Sequence, residues 1–286
     1  MPPTKRKAAP STSTSTASSS PPPPTCSTPT LAQLRTALSH YPNSLALRAN
    51  ASRSSKELVE LDHWFRVDLR RKLGIRAPAS LQAGDADHGA TKPKPKTKNW
   101  ANQLVPLDRD DLTNLMRWKL ARGKFRPRLI ELASSNPTTR IHSVLAPLLE
   151  RSTPSLALVP RLSTLRGIGP ATSSALLSLY RPRTDPFLSD EAWTVFFPTE
   201  KPEYTEKAYK RFREVFKVRL EEEGWGSAEE LEMACWSWAV REKYGKAEED
   251  GTMKETEDTA LNRDEPRGIG RETAGEEGKR ARRKTK

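Results

Sequence analysis

Leu162-Ser163-Thr164-Leu165-Arg166-Gly167-Ile168-Gly169-Pro170-Ala171-Thr172-Ser173-Ser174-Ala175-Leu176-Leu177 is the stretch whose reading decides the fold. Leu162 and Leu165 close the end of one helix, and Ile168 tucks under a tight turn. The two glycines allow positive φ and let another group approach the backbone closely. Pro170 suits the first position of a second helix, where a missing N–H costs nothing. The amides at that helix start then point outward and form an anion site. Ala175, Leu176 and Leu179 hold the second helix to a core. Arg267-Gly268-Ile269-Gly270 repeats the same four letters without flanking apolar helices, and is read as coincidence.

Helical periodicity extends on both sides. Leu31, Leu34 and Leu38 mark a short helix. Leu58, Leu61, Trp64, Phe65 and Leu69 mark another, with Ser54 and Glu57 as its capping box and Gly74 at its end. Further helices are expected over Asp108 to Arg122, Phe125 to Ser134, Ile141 to Leu149 (broken around Pro147), Ala192 to Phe197, Glu206 to Glu222 and Ala228 to Tyr244. No segment reads as a strand, so the class is all-α: a helical bundle built around a helix-hairpin-helix, between disordered flanks. The organisation expected is a Ser/Thr/Pro-rich disordered tail over 1–29, short accessory helices over 30–75, a basic linker over 76–99, the main domain over 100–245 and a charged disordered tail over 246–286. The periodicity leaves open whether 30–75 packs on the main domain or on a partner.

Composition narrows the function classes. The formal charge is +13 in 286 residues, but it is unevenly spread. Residues 1–99 carry 16 basic against 6 acidic side chains, 100–245 carry 22 against 19, and 246–286 carry 11 against 11. The main domain is therefore only mildly basic, and global charge alone does not argue for a polyanion partner. No run is apolar enough to span a bilayer. Cys26 and Cys235 give no disulfide framework, zinc pattern or cluster ligand set, the four histidines show no metal or triad spacing, and no cofactor is expected. Lys5-Arg6-Lys7 and the cluster from Lys279 to Lys284 suit nuclear import or a DNA tether. The Ser-rich start, with no acid before Glu57, leaves a mitochondrial presequence as the alternative.

Two further stretches interleave charge or bulk with helix. Arg117-Trp118-Lys119-Leu120-Ala121-Arg122-Gly123-Lys124-Phe125-Arg126 places Lys119, Arg122, Lys124 and Arg126 around a helix end as a phosphate-contacting patch, with Trp118 and Phe125 assigned to the core. Trp236 and Trp238, two apart on one helix, face different directions and cannot share one deep core.

The run Leu165 to Tyr180, followed by Asp185-Pro186-Phe187-Leu188-Ser189-Asp190-Glu191, resembles the helix-hairpin-helix DNA glycosylase superfamily over about residues 162–193. The resemblance implies a fold that grips duplex DNA through Gly167, Ile168 and Gly169, assisted by Thr172. It implies an aspartate about twenty residues after the hairpin that supports water attack on the sugar as a base leaves. That position falls on Asp190, with Glu191 as the second candidate. Three departures qualify it. Ala171 stands where bifunctional members carry a lysine, which argues against lyase chemistry. Ser173 stands where a small Ala is usual, and the cluster-binding cysteines of one branch are missing. Two DNA readings therefore stand: a noncatalytic binding or adaptor module in repair or chromatin, and a monofunctional N-glycosylase using Asp190. A noncatalytic protein-interaction domain whose hairpin packs on a partner helix is the third reading, and the tails and the 54–73 helix are further places to meet a protein partner. Oligomeric state is not encoded in any pattern found.

Overall fold

Ten consecutive residues, Ala171 to Tyr180, are buried in the computed structural model of the chain, and they make α9 (Pro170–Tyr180) the axis of the fold. The structure describes residues 28–75, 104–150 and 153–245. A helix buried on every side must be surrounded by others. Here α5 (Arg109–Arg122), α7 (Thr138–Leu149), α8 (Ser155–Leu162) and α11 (Glu206–Glu223) enclose it. Every regular element among the described residues is helical, which establishes the all-α class. The readings of 1–29, 76–99 and 246–286 as tails and linker fall almost wholly outside the described residues.

Three serines inside α9 would each bury an unpaired hydroxyl, and local bonds prevent it. Ser178 Oγ donates to the Ala175 carbonyl at 3.0 Å. Ser174 Oγ donates to the Ala171 carbonyl at 2.8 Å and accepts from the Leu188 amide at 2.9 Å, tying the next loop to the helix. Ser173 Oγ lies 3.2 Å from Ser163 Oγ, just before the turn that leads into α9.

A second layer packs α1 (Leu31–Ser39) and α2 (Tyr41–Ala51) on α12 (Ala228–Val240). Ser237 Oγ donates to the Ala37 carbonyl at 2.6 Å and meets Ser44 Oγ at 2.6 Å. Nothing in the sequence marks Tyr41–Ala51 as a helix, because its apolar spacing is weak and His40 provides no side-chain cap. The rod that follows runs α3 (Leu58–His63), a π turn (Trp64–Asp68) and α4 (Leu69–Leu73), and ends on Gly74 at φ 70°. The expected capping box at Ser54 and Glu57 does not form. Arg53–Ser55 is a 3-10 turn capped by Ser52, and Glu57 makes no side-chain cap.

Residues 41–73 share the core of the remainder through buried charge. Asp62 accepts from Tyr41 Oη at 2.9 Å, Arg66 Nε at 2.9 Å and Trp118 Nε1 at 2.8 Å. Glu229 on α12 pairs with Arg70 at 2.7 Å and also with Arg66. Trp118 stacks on Phe65 with ring centroids 3.8 Å apart. Leaving any one of these charges alone in the interior would cost several kcal/mol, so the pairs fix which faces meet.

Two other expectations change. Pro147 does not break α7, which runs unbroken from Thr138 to Leu149. Proline lacks the amide that would bond the carbonyl four residues back. Arg161 fills that place, donating to the Ser143 carbonyl at 2.7 Å and the Val144 carbonyl at 3.0 Å. The helix expected from Phe125 begins at Arg128 as α6 (Arg128–Ser134), leaving Phe125 exposed rather than in the core. Trp236 is fully buried and Trp238 only partly, as their spacing requires.

Candidate nucleic-acid interface

The turn between α8 and α9 is held from below by α6. Gly167 takes φ +79°, and a Cβ there would lie 2.8 Å from Leu132 Cβ and 3.2 Å from the Ala133 nitrogen and the Leu129 carbonyl oxygen. Only glycine allows both the left-handed backbone and this approach. Asn136 clamps the turn: its Oδ1 accepts the Arg166 amide and its Nδ2 donates to the Arg166 carbonyl, each at 2.9 Å.

Gly169 differs in kind. It is the N-cap of α9 with extended backbone, and a Cβ there would meet nothing within 4 Å. No side chain caps the helix, and Pro170 has no amide. The next amides, of Ala171 and Thr172, therefore face whatever occupies the space in front of the turn. Ile168 is excluded from that role. Its side chain is buried, and its amide already donates to the Leu165 carbonyl at 3.2 Å.

That space is a cleft of about 200 Å³. One wall is the hairpin, from Gly167 to Thr172. The second is the C-terminal end of α5 with Lys119, Lys124 and Arg126, and the third is the start of α10 (Asp190–Phe196). Phe187 and Leu188 form an apolar floor. Clefts for drug-sized ligands run to roughly 300 Å³ or more, so this one suits a group about the size of one or two rings.

Asp190 and Glu191 stand in the first turn of α10, at the cleft, after a Ser189 cap of the kind that the run Ser189-Asp190-Glu191 suggests in the sequence. Ser189 caps the helix by accepting the Ala192 amide at 3.3 Å. The same hydroxyl donates to Glu232 Oε1 at 2.8 Å, which fastens the α10 start to α12. The two acids have different surroundings. Asp190 Oδ1 accepts from Tyr204 Oη at 2.7 Å. Glu191 has an Oε2 atom out of reach of solvent and without a partner. Burial, and then the neighbouring Asp190 charge, push the Glu191 carboxyl up to about 7, against a weaker pull from Arg122 and Arg48. Glu191 thus titrates near neutrality while its neighbour holds a tyrosine.

The basic patch separates into two kinds of residue. Lys124 and Arg126 are exposed at the rim. Arg122 is 1% exposed, with Nη2 on Glu232 at 3.0 Å. It cannot reach a phosphate outside, and its place in the patch is corrected to an internal ion pair that braces the cleft. Lys119 is half-buried on the α5 wall. Burial lowers its affinity for a proton and nearby Arg126 lowers it further, opposed by Asp190 and Glu191. Thr172 is buried at the cleft edge.

Two residues of the site carry no signal in the sequence, Tyr204 in the cleft wall and Glu232 behind it. Tyr204 sits in a Pro- and Glu-rich loop with no periodicity to flag it, and Arg126 lies over its ring at 5.9 Å. Glu232 shows only as one acid among several on α12. Arg166, inside the hairpin and exposed beside the turn, was open to reading as a phosphate contact from its position alone.

Neither a protein-family model nor a curated protein or solved structure matches the chain.

Proposed function

We propose that this protein binds duplex DNA by seating a backbone phosphate at the start of α9 and presents the adjoining cleft to an unstacked base or sugar. The observation that carries the reading is that the uncapped α9 start, the exposed Lys124 and Arg126, and the acids Asp190 and Glu191 all open into one cleft. Anions are stabilised at a helix start by free amides and the helix dipole. The rim cations favour the same strand by releasing counterions. A cleft with an apolar floor and a buried carboxyl group can take an extruded nucleobase or sugar. The basic clusters at the ends of the sequence go with a nuclear place in repair or chromatin.

A specific observation favours a catalytic version, a monofunctional N-glycosylase. Two adjacent carboxyl groups in different surroundings, Asp190 accepting from Tyr204 and Glu191 with a buried, unpartnered Oε2, are an arrangement that can separate acid from base roles. In that version Asp190, oriented by Tyr204, supports attack on the sugar, and Glu191 supplies or shares a proton. Single-turnover base release over a panel of damaged duplexes tests it. Asp190→Asn should retain binding and lose release. Absence of release from every duplex that the protein binds leaves the binding module as the function.

A further inference from the structure

Positive charge gathers on one side of the domain. Residues 123–170 carry seven basic against two acidic side chains, whereas 171–245 carry 11 against 14. Lys124, Arg126 and Arg128, in the passage from α5 to α6, are exposed, and none of them makes an ion pair with an acid among the described residues. Neighbouring cations left in this state favour any anion that reaches them.

The chain brings one to the spot. The last described element is a π turn, Arg241–Gly245, which packs on α2. Its Tyr244 ring lies 5.6 Å from the guanidinium of Arg48. The same guanidinium donates to the Gly123 carbonyl at 2.6 Å and to the Arg122 carbonyl at 3.1 Å. One buried side chain therefore joins this turn to the residue before Lys124. Glu248, Glu249, Asp250, Glu255, Glu257 and Asp258 follow in the sequence, with Lys254 the only cation among residues 248–258. Glu248 comes three residues after Gly245. An extended chain covers roughly 10 Å in that many residues. So short a connection costs little closure entropy.

We propose that the acidic stretch 248–258 docks on Lys124, Arg126 and Arg128 of its own chain and competes there with duplex DNA. The docking stands on charge and reach, and only its effect on DNA rests on the binding reading above. Exposed ion pairs are weak singly, so two or three together should lower duplex affinity by roughly threefold to tenfold at low salt. Screening weakens the docking as salt rises, so the effect fades at high ionic strength.

The test uses the full-length protein and a carbodiimide, which joins a lysine amine to a touching carboxylate as an amide. Peptide mass spectrometry should map a link from Lys124 to an acid of 248–258 within one chain. The link should be independent of protein concentration, lost at high salt and suppressed by excess duplex. Duplex affinity is measured in parallel on two full-length variants. The first carries Glu248→Gln, Glu249→Gln, Asp250→Asn, Glu255→Gln and Glu257→Gln. The second makes the same change of charge farther along, with Asp264→Asn, Glu265→Gln, Glu272→Gln, Glu276→Gln and Glu277→Gln. The first should bind roughly threefold to tenfold more tightly than the wild type at low salt, and the second should gain clearly less. Links that avoid Lys124, or that form only between two copies, overturn the proposal. Equal gains in the two variants also overturn it, because net charge alone would then account for them. A Lys124 link in a protein that binds no duplex supports the docking and overturns the DNA reading. Mapping on the unmodified chain keeps the result decisive if a variant fails to fold.

Discussion

Asn136 holds Arg166 by both of its backbone polar groups, amide and carbonyl, each at 2.9 Å. The contact joins the α6–α7 loop to the hairpin turn, thirty residues further along the chain. Asn136 is itself buried and also donates to the Ala133 carbonyl at 3.0 Å. Asn136→Ala should destabilise the protein by about 1–3 kcal/mol, the cost of leaving buried polar groups unmatched. Denaturant melts check this. A loss below a few tenths of a kcal/mol would show that the clamp does not hold the turn.

The two hairpin glycines should respond oppositely to alanine. Gly167→Ala meets α6 and forces a left-handed alanine, so it should cost more than about 1 kcal/mol of stability. Gly169→Ala has open space and extended backbone, so its melting curve should match the wild type or improve on it. Any loss of DNA affinity in Gly169→Ala then reports on crowding of the phosphate rather than on folding.

Glu191 makes stability depend on pH in a stated direction. Its carboxyl is raised from the ordinary 4.5 to about 7. Between those values the folded state holds a proton that the unfolded state has released. The stability that this proton supplies is fully present below pH 4.5 and is lost as pH rises through about 7. Glu191→Gln stays neutral throughout, so it should gain on the wild type across that window and keep its advantage above it. Paired thermal melts over the range check this, and a constant difference at every pH contradicts it.

Glu232 stands at the junction of the cleft and the second layer. It accepts Arg122 at 3.0 Å and the Ser189 cap at 2.8 Å, and both partners are buried. Glu232→Ala should cost about 3–5 kcal/mol, because it strands the Arg122 charge in the interior. The double change Glu232→Leu with Arg122→Met should recover most of that stability. It should also loosen the α10 start, which equilibrium unfolding combined with amide exchange at Ala192 would register.

Much of this was legible in the sequence where the chain advertises itself locally. The apolar spacing of α9 and the Gly-Ile-Gly-Pro turn show the helix and the turn that leads into it, because those signals are carried by neighbouring residues. Asp190 was singled out only through the resemblance, and the structure places it at the cleft. What depends on distant partners was hidden. Arg122 reads as a surface cation until Glu232, more than a hundred residues later, draws it inside. Pro147 reads as a break until Arg161 supplies the missing donor. Tyr204 has no local pattern at all, and only the closing of the loop onto α10 brings it to Asp190.

The central claim, that the α9 start and its rim cations grip DNA, is tested most directly by the salt dependence of duplex binding. The wild type, Gly169→Ala and Lys124→Ala/Arg126→Ala are compared as full-length chains, so that the terminal charges are the same in all three. The account predicts that the double variant lowers the slope of log affinity against log salt by about 0.9 for each phosphate contact removed, roughly 2 in all. Gly169→Ala should weaken binding at every salt concentration while remaining folded. Three superimposable lines would contradict the account, because binding would then come from charges elsewhere on the chain.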